Sequence, residues 1–160
     1  MTKFKICGLR DPDHALVAAK AGADFIGMVF VPGVRREITQ EIAQSIIQTL
    51  RSGLGSLCPR LVGLFADQPI DEVNRIVRQC GLDMVQLCGD ESVEYWAYID
   101  IPIIKQIKIR DEDSQPDSIK SASQEIEEVR SGLEPHDSEE VENLAGLWLM
   151  PGLTVAHHHL

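Results

Sequence analysis

Asp24-Phe25-Ile26-Gly27-Met28-Val29-Phe30 is the stretch whose reading decides the fold. It is nearly continuous in apolar residues and does not alternate with polar ones. A strand with one wet face alternates; a strand covered on both faces does not, and that is the mark of a parallel sheet flanked by helices. The segments on either side agree. Phe4-Lys5-Ile6-Cys7 reads as a strand ending at Gly8, and Asp11-Pro12 then supplies an N-cap with proline at the first helical position. The helix that follows runs from about Asp13 to Ala21 and ends at Gly22.

Further along, the same alternation returns. Thr39 caps a helix whose Ile42, Ile46, Ile47 and Leu50 recur at helical spacing. Arg60–Phe65 is a third strand. Pro69 opens a helix with Val73, Ile76, Val77 and Cys80 turned inward. Asp83–Leu87 is a fourth strand, Glu91–Ile99 a short helix, and Pro102–Lys108 a fifth strand. Strands separated by helices argue a parallel sheet with right-handed crossovers. Two architectures satisfy this, a doubly wound sheet and a (β/α)-barrel. No Gly-x-Gly-x-x-Gly follows the first strand, which removes the main support for a dinucleotide fold.

After Arg110 the rhythm fails. Residues 1–110 hold 13 Lys+Arg and 13 Asp+Glu, whereas residues 111–160 hold 2 and 12, so the whole net charge of −10 lies in the last third. Residues 111–143 carry few apolar side chains and are expected to pack poorly, since ordering costs about 1–2 kcal/mol per residue. Ala145–Met150 reads as one more strand. The segment 111–160 is read as a divergent, acidic extension and not as a separate domain. An acidic chain offers no electrostatic basis for nucleic-acid binding. No apolar run is long enough for a membrane span, and the N-terminus is too short in apolar length for a signal peptide; a cytoplasmic location is expected. Cys7, Cys58, Cys80 and Cys88 form no Cys-x-x-Cys pair and are expected to be free thiols. Adjacent histidines such as His157-His158-His159 do not converge on one ion, so no metal site is expected.

Lys5-Ile6-Cys7-Gly8-Leu9, Ala21-Gly22-Ala23-Asp24, Gly27-Met28-Val29-Phe30 and Pro32-Gly33-Val34-Arg35-Arg36-Glu37-Ile38-Thr39 resemble, in order and spacing, the opening of phosphoribosylanthranilate isomerases. Val62-Gly63-Leu64-Phe65 with Gln68-Pro69, Val85–Glu91 and Ile103-Ile104-Lys105 continue the match through about two thirds of the chain, residues 1–110. The resemblance implies an α/β fold of the (β/α)8 TIM type, here an incomplete barrel of about five to six parallel strands with helices outside. It implies an isomerase of tryptophan biosynthesis that rearranges N-(5′-phosphoribosyl)anthranilate, by an Amadori reaction, to 1-(2-carboxyphenylamino)-1-deoxyribulose 5-phosphate. No cofactor or metal is implied, and the partner is a small phosphorylated substrate.

The resemblance also assigns residues. Cys7 closes the first strand, at the end of a barrel where active sites lie, and matches the family's general base; by position alone it would be a buried small hydrophobe. Arg36, in the loop after the second strand, matches a substrate-binding arginine, against the alternative of a solvated Arg35-Arg36 pair. Gln86 and Cys88 are expected to line the pocket. Gln86 could equally be a hydrogen-bonded core glutamine, and Cys88 stands where many relatives carry histidine. Asp67 is read as an Asx cap for the helix at Pro69.

Downstream the match departs from the family. The aspartate that serves as general acid, its Gly-Gly-Thr-Gly loop and the final phosphate-binding turn are not found; Leu147–Thr154 is only a faint echo of the seventh strand and its turn. The general acid is therefore unassigned, with Asp111 and Asp113 the first candidates. A second expectation follows from this departure: an inactive relic that self-associates through open barrel edges or binds another chain. A third, a different barrel isomerase or phosphate-binding enzyme, fits the ordered motifs less well.

Overall fold

The structure, a computed structural model, describes residues 3–106. By its contacts the chain divides into two units, Met1–Ile109 and Arg110–Leu160, and the described residues all belong to the first. The expectations for 111–143, for a strand at 145–150 and for an acid at Asp111 or Asp113 lie outside them.

The elements are β1 (Lys5–Cys7), α1 (Pro12–Lys20), β2 (Phe25–Val29), α2 (Gln40–Leu54), a 3-10 turn (Gly55–Leu57), β3 (Arg60–Phe65), α3 (Ile70–Cys80), β4 (Met84–Leu87), α4 (Val93–Trp96) and β5 (Ile103–Lys105). Local chemistry sets most of the boundaries. The Asp11 carboxylate accepts from the His14 N–H and caps α1, with Pro12 next in line. The Thr39 hydroxyl accepts from the Ile42 N–H and caps α2. Gly81, in the left-handed conformation at φ 70°, ends α3.

Among the described residues the strands form one sheet in the order β1-β2-β3-β4-β5, and every pair is parallel. Each crossover moves one strand over in the same direction and never reverses. A doubly wound sheet must reverse at its switch point, so the order selects the barrel, and the sheet curls accordingly. Three strand spacings span about 14 Å in a flat sheet. Nevertheless the Lys5 ammonium on β1 donates a hydrogen bond to Gln86 Oε1 on β4. Only a curved sheet brings those two strands within reach.

The register sorts the buried residues by parity. Ile26, Met28, Leu61, Phe65, Val85 and Leu87 share one face and pack with Ala15, Ile46, Leu50, Val73 and Val77 of the helices into a single apolar cluster. Phe30 stacks on Phe65 in this layer, centroids 5.3 Å apart. On the other face lie Phe25, Val29, Val62, Leu64 and Met84, also buried but outside that cluster. They fill the barrel interior, where bulky side chains from alternate strands pack in layers. The continuous apolar run of β2 is thus explained: each face of the strand meets its own layer.

At the N-terminal end of the sheet two aspartates tie neighbouring strands. Asp24 accepts from the Phe4 N–H at 2.9 Å, and Asp83 accepts from the Leu61 N–H at 2.8 Å. Asp83 also pairs with Arg51, which donates to Gly81 O. These contacts hold register at the end away from the site. No helix among the described residues is long and apolar enough to cross a membrane.

Candidate functional site

Cys7, Gln86 and Lys5 all lie on the interior face, because residues two apart on a strand share a side and Gln86 stands in register with Leu64 of that face. Cys7 is the last residue of β1 and pairs with Gly27 of β2. A Cβ on Gly27 would come 2.7 Å from Cys7 Sγ and 3.2 Å from its Cα. The absence of a side chain at 27 is what gives the thiol its place in the barrel mouth.

Arg36 reaches the same place from the β2–α2 loop. That loop is built by the Ile38 N–H donating to Val29 O (2.9 Å), the Gly33 N–H donating to the Glu37 carboxylate (2.7 Å) and an isolated parallel bridge between Val29 and Glu37. The exposed Arg36 guanidinium then lies over the end of β1 and donates to Cys7 O at 3.4 Å. Gly8 makes this approach possible. Its φ is +78°, and a Cβ there would stand 2.5 Å from Arg36 Cδ. Gly8→Ala is therefore expected to lower stability by about 1–2 kcal/mol through left-handed strain and to displace Arg36. Chemical denaturation together with titration of an aromatic carboxylate ligand would reveal both effects; an unchanged midpoint and affinity would refute the packing described.

Gln86 is buried and uses both ends of its amide. Its Oε1 accepts from Lys5, and its Nε2 donates to Cys88 Sγ at 3.4 Å. The readings of Gln86 as a pocket residue and as a hydrogen-bonded core residue thus meet in one side chain. Burial pushes the Cys88 thiol above its ordinary value, more than the hydrogen bond from Gln86 and the Lys5 charge lower it. Cys88 therefore stays protonated near neutral pH, a weak donor and not a second base. The sequence-expected residues Cys7, Arg36, Gln86 and Cys88 are all brought to the C-terminal end of the sheet.

A second network braces this end. The Glu91 carboxylate accepts from the Asp67 N–H (2.9 Å), the Gly89 N–H (3.2 Å) and the Lys105 ammonium (2.6 Å); Lys105 also donates to Gly89 O at 2.6 Å. The Glu91 side chain is 1% exposed and that of Lys105 12%. Burial works to raise the Glu91 carboxyl, yet hydrogen bonds from Lys105 and the Asp67 N–H together hold it below its ordinary value. Tyr95 donates to Gln68 O at 2.8 Å and Trp96 to Glu91 O at 3.2 Å; burial, with Glu91, Asp67 and Glu72 adding to it, pushes the Tyr95 phenol up to about 12.

Two expectations are corrected here. Asp67 does not cap α3, whose N-cap Pro69 has no side-chain hydrogen bond; Asp67 adopts φ 55° and its carboxylate accepts from the Asp90 N–H at 2.8 Å. A Cβ on Gly89 would lie 2.4 Å from the Asp67 carboxylate, so the two loops interlock. The helix expected over Glu91–Ile99 shrinks to Val93–Trp96, because Glu91 turns inward to Lys105 instead of starting a helix. The sequence pointed to no part in the site for Lys5, Gly27 or Lys105, to Gly8 only as the end of a strand and to Glu91 only as the start of a helix. Lys5 could have been found, since it alternates with Cys7 in a strand that is otherwise apolar.

Comparison with known proteins agrees with this architecture. A family model described as N-(5′-phosphoribosyl)anthranilate (PRA) isomerase matches residues 4–130. N-(5′-phosphoribosyl)anthranilate isomerase of Dehalococcoides mccartyi is 44% identical over 135 residues, 83% of this chain and 56% of that protein. The Pelobacter propionicus protein of the same name is 40% identical over 114 residues, 71% of this chain and 52% of its own length. The chain spans about half the length of the curated relatives it matches. Among solved structures, phosphoribosyl anthranilate isomerase from Thermus thermophilus superposes with a TM-score of 0.62 at 35% identity, covering 68% of this chain and 53% of its own. A phosphoribosyl anthranilate isomerase in complex with reduced 1-(o-carboxyphenylamino)-1-deoxyribulose 5-phosphate gives 0.67 at 29% identity, covering 76% and 59%.

Proposed function

The chain belongs to the N-(5′-phosphoribosyl)anthranilate isomerase family, and we propose that the C-terminal end of its sheet carries the base and the carboxylate-binding group of an Amadori isomerase acting on N-(5′-phosphoribosyl)anthranilate. The observation that supports this most directly is the convergence of Cys7 and Arg36, which two glycines, Gly8 and Gly27, make room for.

The chemistry follows from the residue types. Arg36 presents a planar, permanently charged fork that suits the anthranilate carboxylate. Once the furanose ring is opened, the Cys7 thiolate removes the C2′ proton and the electron pair moves toward the imine nitrogen, giving the enamine that becomes the ketose. Gln86 and Cys88 line the pocket beside Cys7. The ring-opening acid is not assigned to any residue of this chain. The phosphorylated sugar is a partner by the same reading.

The test is binding. Reduced 1-(o-carboxyphenylamino)-1-deoxyribulose 5-phosphate is titrated into the protein and into Arg36→Met by calorimetry. Loss of a charge-assisted contact of about 1.5–3 kcal/mol predicts an affinity roughly ten- to hundredfold weaker for the variant. A folded parent that does not bind the compound, or an Arg36→Met protein that binds it equally well, removes the reading.

A further inference from the structure

Lys5 is a charged side chain inside the barrel for which the proposed chemistry has no use. It is half-buried and stands two residues before Cys7 on the same face of β1. Its neighbours across the register on that face are Phe25 and Gly27, neither of which can compensate a charge. Among the described residues no carboxylate comes within 4.0 Å of its ammonium. The ammonium instead donates to Gln86 Oε1, and the other end of that amide donates to Cys88 Sγ. A buried lysine without a carboxylate is an unfavourable way to fill space, since an aliphatic residue would do so without desolvating a charge.

We propose that Lys5 is a positioning residue for Cys7: its ammonium, held inside the barrel by Gln86, supplies the positive charge against which Cys7 becomes a thiolate, and it fixes the orientation of the Gln86 amide in the pocket. The proposal rests on Cys7 being the base. Electrostatic coupling in this cluster supports it. Burial pushes the Lys5 ammonium below its ordinary value, while anions at Cys7 and Cys88 push it back up. The attraction between opposite charges is mutual, so the Lys5 ammonium and a negative charge at Cys7 favour each other.

Among the described residues, few groups face Cys7. Lys5 comes from its own strand, Arg36 from the β2–α2 loop and Cys88 from the end of β4; Glu91 acts on Cys88. From β2 and β3 the register brings Gly27, Val62 and Leu64, which carry no charge. Of the two cations, Arg36 is exposed and is the group that the proposed substrate carboxylate would neutralise. Among the described residues, Lys5 is thus the cation on the Cys7 face of β1 that a substrate carboxylate at Arg36 would leave without a carboxylate partner.

The experiment follows each thiol separately. Parent, Lys5→Met and Lys5→Arg are alkylated with iodoacetamide, and modification of Cys7, Cys58 and Cys80 is followed by peptide mass spectrometry. In Lys5→Met the Cys7 rate is expected to fall about five- to tenfold at about pH 7.5 and to converge with the parent at about pH 10, where any accessible thiol is ionised. Lys5→Arg keeps the parental rate. Turnover is expected to lose about tenfold in kcat with KM little changed, as for a group that acts on the base and not on binding. Buried Cys80 reports loosening of the fold, and Cys58 reports general thiol reactivity. If Cys80 becomes reactive in Lys5→Met, Lys5→Gln is read in its place, because it deletes the charge and keeps a polar partner for Gln86. Parental Cys7 alkylation in a folded, charge-free variant overturns the proposal. Absence of turnover in the parent would instead count against the isomerase reading and leave the alkylation result standing.

Discussion

Under the proposed function, Cys7→Ala is expected to lower turnover of freshly prepared N-(5′-phosphoribosyl)anthranilate by about 10²–10⁴-fold, the contribution of a positioned general base. Affinity for the reduced product analogue should stay within about threefold, because the proposed carboxylate contact is made by Arg36 and not by the thiol. The substitution is structurally mild. Cys7 is partly exposed, its neighbour Gly27 offers no side chain to lose contact with, and alanine keeps the backbone pairing of Cys7 with Gly27. A loss of activity with binding preserved therefore isolates proton transfer. Turnover within about threefold of the parent would show that Cys7 is not the base. Binding of the analogue by both proteins with turnover by neither would favour a site that has kept recognition without catalysis, the second expectation raised by the sequence.

The largest stability effect is expected at Lys105. Lys105→Met leaves the Glu91 carboxylate, 1% exposed, without its cation. Removing one partner of a buried pair typically destabilises by about 3–5 kcal/mol, since the remaining charge stays desolvated. The double variant Lys105→Met/Glu91→Leu is expected to recover much of that loss, for the pair itself has little net worth against an apolar replacement.

The pH dependence has a definite sign. In the parent the folded Glu91 carboxyl lies below its ordinary 4.5, so its contribution is complete above about pH 4.5 and is lost as pH falls through the lower folded value. In Lys105→Met the hydrogen bond and the charge that hold it down are gone and burial now dominates. Protonation of Glu91 then relieves the penalty, and the gap between parent and variant narrows on acidification. Urea midpoints for the two proteins at neutral pH and near pH 4 give the answer. A gap that widens in acid, or a single variant as stable as the parent, would remove Glu91–Lys105 as the brace between the two loops. Loosening of the brace should also reach the site, since Gly89 follows Cys88 directly and the Cys88 N–H donates to Phe65 O at 2.8 Å.

Local interactions made much of this protein legible from its sequence. The caps at Asp11 and Thr39, the strand Arg60–Phe65 and the doubly buried run of β2 depend on contacts within a few residues or on a simple period, and they fold as read. The placement of Cys7 at the end of its strand was readable for the same reason.

What failed was long-range. The Asp67 cap and the helix beginning at Glu91 were sound local readings, overruled because each side chain has a better partner elsewhere: the Asp90 N–H for one, Lys105 for the other. A propensity worth a few tenths of a kcal/mol yields to a buried charge that would otherwise go unpaired. The choice between two parallel architectures also waited for the strand order, because alternating strands and helices do not encode the direction of each crossover.

By itself, then, the sequence determined most of the elements, their parallel pairing and the position of Cys7 at the end of its strand. The tertiary structure decided that Lys5 meets Gln86 across the barrel, that glycines at 8 and 27 admit Arg36 and the thiol, and that Glu91 braces the loops. Period and capping act over a few residues of chain. The meeting of residues 5 and 86 depends on the accumulated curl of four strands, a quantity that belongs to the whole sheet and to no segment of it.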